Sequence, residues 1–149
     1  MLYLCSQRGT WWMYTGNSKD IPLEVSRRRK LADLYFDNYR EYSKKKMFQK
    51  ASEFLWGALN SLVYALSLAI YGEKVRRHSE VKDKINKLAA DLNDPELAEL
   101  FKASAEILHA NFYHDFLDED SFKYHAKNME KLLGKLASIL DKRAQKSAR

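Results

Sequence analysis

The sequence predicts an all-α protein, an up-and-down bundle of four to five helices, and three observations carry that prediction. From Ile21 to Leu140 apolar residues recur at steps of three, four and seven, the spacing that lines one face of a helix. With two prolines and five glycines in 149 residues, helix breakers are few and long helical runs go uninterrupted. A hydrophobic share of 46% in a chain of this length is enough for one domain with its own core.

Residues 1–20 carry turn formers and aromatics without a helical or strand period, so an irregular N-terminal arm is expected there. The bundle should span residues 21–141. Its first helix opens near Pro22 and turns Val25, Leu31, Leu34, Tyr35, Tyr39 and Tyr42 inward. The cations Arg27, Arg28, Arg29 and Lys30 near its start, and Lys44, Lys45 and Lys46 where it should break, read either as solvated faces or as phosphate contacts. The second helix, from about Met47 to Tyr71, is apolar nearly all round and must be central. Gly57 lies inside it, where a close helix crossing would offset its cost of about 1 kcal/mol relative to alanine. Glu53, Trp56, Gly57, Asn60, Tyr64, Ser67 and Tyr71 form its one polar stripe.

Gly72 should end that helix, and "EKVRRH" connects it to a third, capped by Ser79, with Val81, Ile85, Leu88, Ala89 and Leu92 inward. Asp94 as N-cap and Pro95 in the first turn start a fourth helix that runs to about Asp115. Asp118 repeats the capping signal for a fifth, in which Phe122, Ala126, Met129, Leu133, Leu136 and Leu140 face the core. Residues 142–149 are expected to fray as a basic tail.

The 26 Lys and Arg outnumber 20 Asp and Glu, a net charge of +6, a modest excess that makes polyanions plausible partners. A single cysteine, Cys5, excludes an internal disulfide framework and a cysteine-ligated zinc. It fits a cytoplasmic location, and "MLYLCSQRG" is too short for a signal-peptide core. No membrane partner is expected, because Asn60, Ser61 and Ser67 interrupt the most apolar stretch, Phe54 to Tyr71. No cofactor is expected either: there is no glycine cluster to cradle phosphate and no Gly-x-Ser-x-Gly turn. In "LADLYFDNYREYSKKK" aromatics interleave with charges in a way that suits either a core face or RNA stacking.

The fourth helix holds the most informative segment, "LHANFYHD". Leu97, Leu100, Phe101, Ser104, Leu108, Asn111 and Phe112 share a face, so Asn111 falls in the core stripe and needs hydrogen-bond partners. Asn60 and Tyr64 of the second helix are the expected suppliers. Glu106, His109 and Tyr113 lie on the side away from the core and His114 on one flank. The two histidines are about 140° apart on a regular helix and would chelate one metal poorly. Glu106 and His109 have the Glu-x-x-His spacing of di-iron bundles, but no second copy exists, so no metal is expected.

"QKASEFLWGALNSLVYAL" and "LHANFYHDFL" are similar to the paired signatures of the archaeal PaREP family, and the layout resembles the HEPN superfamily of small helical bundles. The similarity spans Leu31 to Leu140, with Glu53, Trp56, Gly57, Asn111, Phe112 and Tyr113 at motif-matching positions. PaREP proteins bring no settled activity. The HEPN resemblance implies a homodimer. Many HEPN proteins are metal-independent endoribonucleases, often toxins, with an arginine, four to six residues and a histidine meeting across that dimer. Here His114 matches the histidine, while His109 stands where the arginine belongs. The resemblance therefore implies a non-catalytic RNA- or nucleotide-associated homodimer, with Glu53, Trp56, Asn60, Tyr64, Asn111 and Tyr113 lining a cleft. The alternatives are a scaffold for a protein partner, and an endoribonuclease using His109 and His114 across the dimer.

Overall fold

The structure, a computed structural model, describes residues 20–147. They form five helices with no strand. Helix α1 is Ile21–Lys44; α2 is Phe48–Leu66, extended by a π-helical turn, Ser67–Tyr71; α3 is His78–Asp91. Helix α4 consists of Glu96–Leu100, a π-helical turn Phe101–Ala105, and Glu106–His114, and α5 is Glu119–Ser147. Of the expected arm, residues 1–19 lie outside the described residues, as do residues 148–149 of the expected tail. Residues 142–147 continue α5 instead of fraying.

Helix α2 is the axis of the bundle, packed by α1, α3, α4 and α5. All its residues from Ala51 to Leu59 and from Ser61 to Leu66 are buried. By length and hydropathy Phe48–Tyr71 is apolar enough to cross a membrane, so the polar interruptions do not by themselves exclude it; 72% of that window is buried inside the bundle. That burial accounts for its apolar character as a central core helix. Where α1 crosses it, Gly57 brings the backbones close: a β-carbon added there would stand 3.0 Å from Cδ2 of Tyr35.

Helix α1 keeps most of the expected face, with Tyr35 and Tyr39 buried and Val25, Leu31 and Tyr42 packed against the core, but turns it toward Glu24 and Arg28. Its buried residues are Glu24, Arg28, Ala32, Tyr35 and Tyr39, whereas Leu34 is half exposed and Val25 and Leu31 only partly buried. The Arg28 guanidinium is responsible: its Nε donates to Glu24 at 2.9 Å, and the planar group lies 4.1 Å over the Tyr64 ring. Paired and stacked, an arginine can enter a core that an unpaired one could not. Leu92 of the third helix also stays exposed, just past the helix end.

Asn111 is fully buried and carries three hydrogen bonds. Its Nδ2 donates to Ser52 Oγ at 3.0 Å, and its Oδ1 accepts the backbone N–H groups of Phe116 and Leu117 at 2.9 Å each. The amide thus joins α4 to α2 and fastens the turn after α4, where Asp115 adopts a left-handed φ of 47°. Its partner is Ser52 rather than Asn60 or Tyr64. Asp118 then caps α5 through Ser121 N–H at 2.8 Å. Asp94 does not cap α4, because its carboxylate pairs with Lys135 of α5 at 2.9 Å.

Gly57→Ala should destabilise the protein by about 1–2 kcal/mol, since crowding Tyr35 outweighs the roughly 1 kcal/mol of helix propensity gained. Gly134→Ala, in α5 with nothing within 4 Å of the new β-carbon, should stabilise it by up to about 1 kcal/mol. Urea unfolding midpoints check the pair. By the same measurement Asn111→Ala should cost about 3 kcal/mol, because it strands buried partners.

Candidate functional site

Helix α2 contributes Trp56, 6% exposed, to a cluster of rings that α3 and α4 complete. His78, the first residue of α3, lies on the indole with ring centroids 4.6 Å apart and planes 28° apart. His109 of α4 packs 4.4 Å from Trp56 and 4.4 Å from His78, nearly parallel to the latter. Tyr113, one turn on and 58% exposed, meets His109 edge-on at 5.2 Å and 82°. Glu106 completes the group, with its carboxylate 3.2 Å from His78 Nε2.

Local structure explains how these residues meet. Gly72 takes a left-handed φ of 65° and ends α2. Three residues later Val75 is fully buried, so the connection is anchored as it leads into α3. Helix α3 begins at His78, and Glu80, not Ser79, caps it by accepting the N–H groups of Arg76 and Arg77 at 2.5 and 3.2 Å. This leaves Arg76 and Arg77 exposed beside the His78 ring. In α4 the π-helical turn holds more residues than an α-helical turn, which sets the rotation of the Glu106–His114 segment that follows.

Inside the cluster His109 has unusual electrostatics. Its Nδ1 is buried without a hydrogen-bond partner. Burial first, then the neighbouring His78, push its pKa down to about 4 against the opposing pull of Glu106. At neutral pH the ring is therefore uncharged and does not stand in for an arginine. A stranded N–H is costlier than a stranded lone pair, so the proton belongs on Nε2.

The residues singled out from sequence divide clearly. Trp56, His109 and Tyr113 come together. His114 ends α4 exposed, and no hydrogen bond or ring contact joins it to His109 among the described residues. Asn111 and Tyr64 serve packing, Glu53 is buried on α2, and Asn60 is half-buried. The basic run at the start of α1 is not one surface: Arg28 is buried, and Arg29 is held by Asp141 at 3.0 and 3.2 Å and by Asp33 at 2.6 Å. Arg27 and Lys30 remain exposed, as do Lys44, Lys45 and Lys46, although Lys46 lies 3.6 Å from Glu119. Sequence reasoning missed His78 and Glu106 as a pair. Its only signal was a ring beside two arginines in "RRHSE" and the spacing Glu106-x-x-His109.

No group of three or more His, Cys, Asp or Glu able to hold a metal is present among the described residues. A cleft of about 170 Å³ between α1 and α5, lined by Phe36, Ala58, Leu62 and Leu133 among others, is smaller than the roughly 300 Å³ at which ligand pockets begin.

The family model described as the Archaeal PaREP1/PaREP8 family matches residues 27–133, a span that contains every residue of the ring cluster. No curated protein and no solved structure matches the chain.

The His109 shift has a consequence for stability. The folded-state pKa lies below the ordinary value of 6.5, so the unfolded chain binds the proton more readily and stability rises with pH in between. The contribution should be whole above pH 6.5 and fade as pH falls through 4, by about 1–2 kcal/mol, because water screens a half-exposed ring. Thermal unfolding from pH 7 to pH 4 should show this loss, and His109→Phe should reduce it.

Proposed function

We propose, from the premise that the chain belongs to the archaeal PaREP1/PaREP8 family, that it is a HEPN-like RNA- or nucleotide-binding bundle that acts as a homodimer without cleaving its ligand. One observation carries this reading: the ring cluster opens to the surface at His78 and Tyr113, with Arg76 and Arg77 exposed alongside. Exposed rings offer faces or edges to bases, and neighbouring cations attract phosphates. On this reading the interface lies at the α3 start and α4, away from the expected basic runs. The missing arginine and the neutral His109 leave the motif's cationic position uncharged, which supports binding over catalysis.

A metal-independent ribonuclease is the second reading, and the structure favours a different pair for it. His78 and His109 are in ring contact beside Glu106; His109 and His114 are not. Two imidazoles are the usual groups for moving protons at neutral pH. A protein-interaction scaffold is the remaining alternative.

Binding of a short labelled RNA should weaken at least tenfold between about 50 and 200 mM salt, and Arg76→Ala with Arg77→Ala should weaken it at low salt. Retention unaffected by salt and by both substitutions would reject the binding reading. In EDTA no cleavage is expected. Cleavage abolished by His78→Ala but untouched by His114→Ala would establish the second reading instead.

A further inference from the structure

The surface group formed by Glu106, His109 and Tyr113 has a hydrogen-bonding polarity, and that polarity discriminates among bases. Glu106 is exposed, and only one of its carboxylate oxygens has a hydrogen-bond partner, His78, among the described residues. An ionised carboxylate only accepts hydrogen bonds. His109, with its Nδ1 walled in and unpartnered, has Nε2–H as its one donor. One turn apart on α4, the two side chains are neighbours, about 5–6 Å between β-carbons. Together they offer an acceptor beside a donor.

We infer that this surface group reads the edge of an amino-bearing nucleobase, adenine or cytosine, with Glu106 accepting from the exocyclic amine and His109 donating to the adjacent ring nitrogen. Adenine and cytosine present that donor–acceptor pair; uracil presents a carbonyl acceptor beside an N–H donor, the reverse order. A base lying in the plane of His109 meets the Tyr113 ring edge to face, the arrangement that His109 itself adopts against Tyr113 at 82°. The exposed arginines Arg76 and Arg77 directly precede His78 in the chain and supply cations to attract the phosphate. The inference rests on the nucleotide-binding reading above and adds to it the choice of base.

The test compares binding of short labelled oligo-A, oligo-C and oligo-U RNA by the full-length protein at low salt. Oligo-A and oligo-C should each bind about tenfold more tightly than oligo-U, the scale of one well-made bidentate base contact. Glu106→Leu should erase that preference by weakening oligo-A and oligo-C to the level of oligo-U, because the acceptor for the exocyclic amine is gone; a merely structural role would weaken all three ligands alike. His109→Phe keeps a ring on Trp56 while removing the donor, and should lower the affinity for oligo-A and oligo-C to that for oligo-U. Equal binding of the three by wild type, or a preference for oligo-U, overturns the base assignment and leaves the binding reading standing. Failure to bind any of them overturns both.

Discussion

Almost every side chain of α2 from Ala51 to Leu68 is buried, and a helix apolar on all sides must be enclosed on all sides. That requirement organises the rest. A single neighbour covers one stripe of a helix, so α1, α3, α4 and α5 each take a share of its circumference. The crossing with α1 is closest because Gly57 has no side chain to hold Tyr35 away. The π-helical end of α2 and the left-handed Gly72 return the chain so that buried Val75 delivers α3 to the remaining uncovered side. Trp56 is where that cover changes in kind. Its outer face is closed by histidines rather than by aliphatic side chains, which is why polar chemistry reaches the surface there.

Polar groups inside such a bundle need definite partners, and Asn111 shows how these select an arrangement. Its amide answers Ser52 on one side and two backbone N–H groups of the following turn on the other. Sliding α4 along α2 by one turn would break the Ser52 bond and leave buried polar groups unpaired, so the amide favours a single register where apolar contacts alone would tolerate several. Ser104 does the same toward α5, with His125 Nδ1 at 3.0 Å and Asn128 Nδ2 at 2.9 Å. The position of His109 against Trp56 is fixed by these bonds above and below it.

The helices were legible because each follows from spacing along one segment. Repeated apolar steps located all five, and Asp118, Gly72 and the cationic break at Lys44 to Lys46 marked termini that the structure keeps. Contacts between segments were less so. The Ser52 partner of Asn111 depends on the offset between two helices, which no periodicity encodes. His78 looked like part of a connection, and only the burial of Val75 turns it onto Trp56. On α1 the error was one of chemistry: Leu34 was taken as inward and Arg28 as outward, while the Glu24–Arg28 pair and the Tyr64 face let the opposite occur. The four-residue steps from Glu24 through Arg28 to Ala32 did carry that stripe, but an unpaired charge is so costly to bury that the partner has to be seen first.

The π-helical turn Phe101–Ala105 ties the chemistry of α4 to the arithmetic of chain length. Removing one residue from this stretch would let the turn relax into an ordinary α-helix with its hydrogen bonds intact, and because a π turn and an α turn each complete one rotation, the segment beyond would keep nearly the same face. Glu106, His109 and Tyr113 would stay on Trp56 together, whereas the same deletion in a regular part of the helix would turn everything beyond it by about 100°. The wide turn is thus the place in α4 where the chain can shorten by one codon without exchanging the surface that this protein presents.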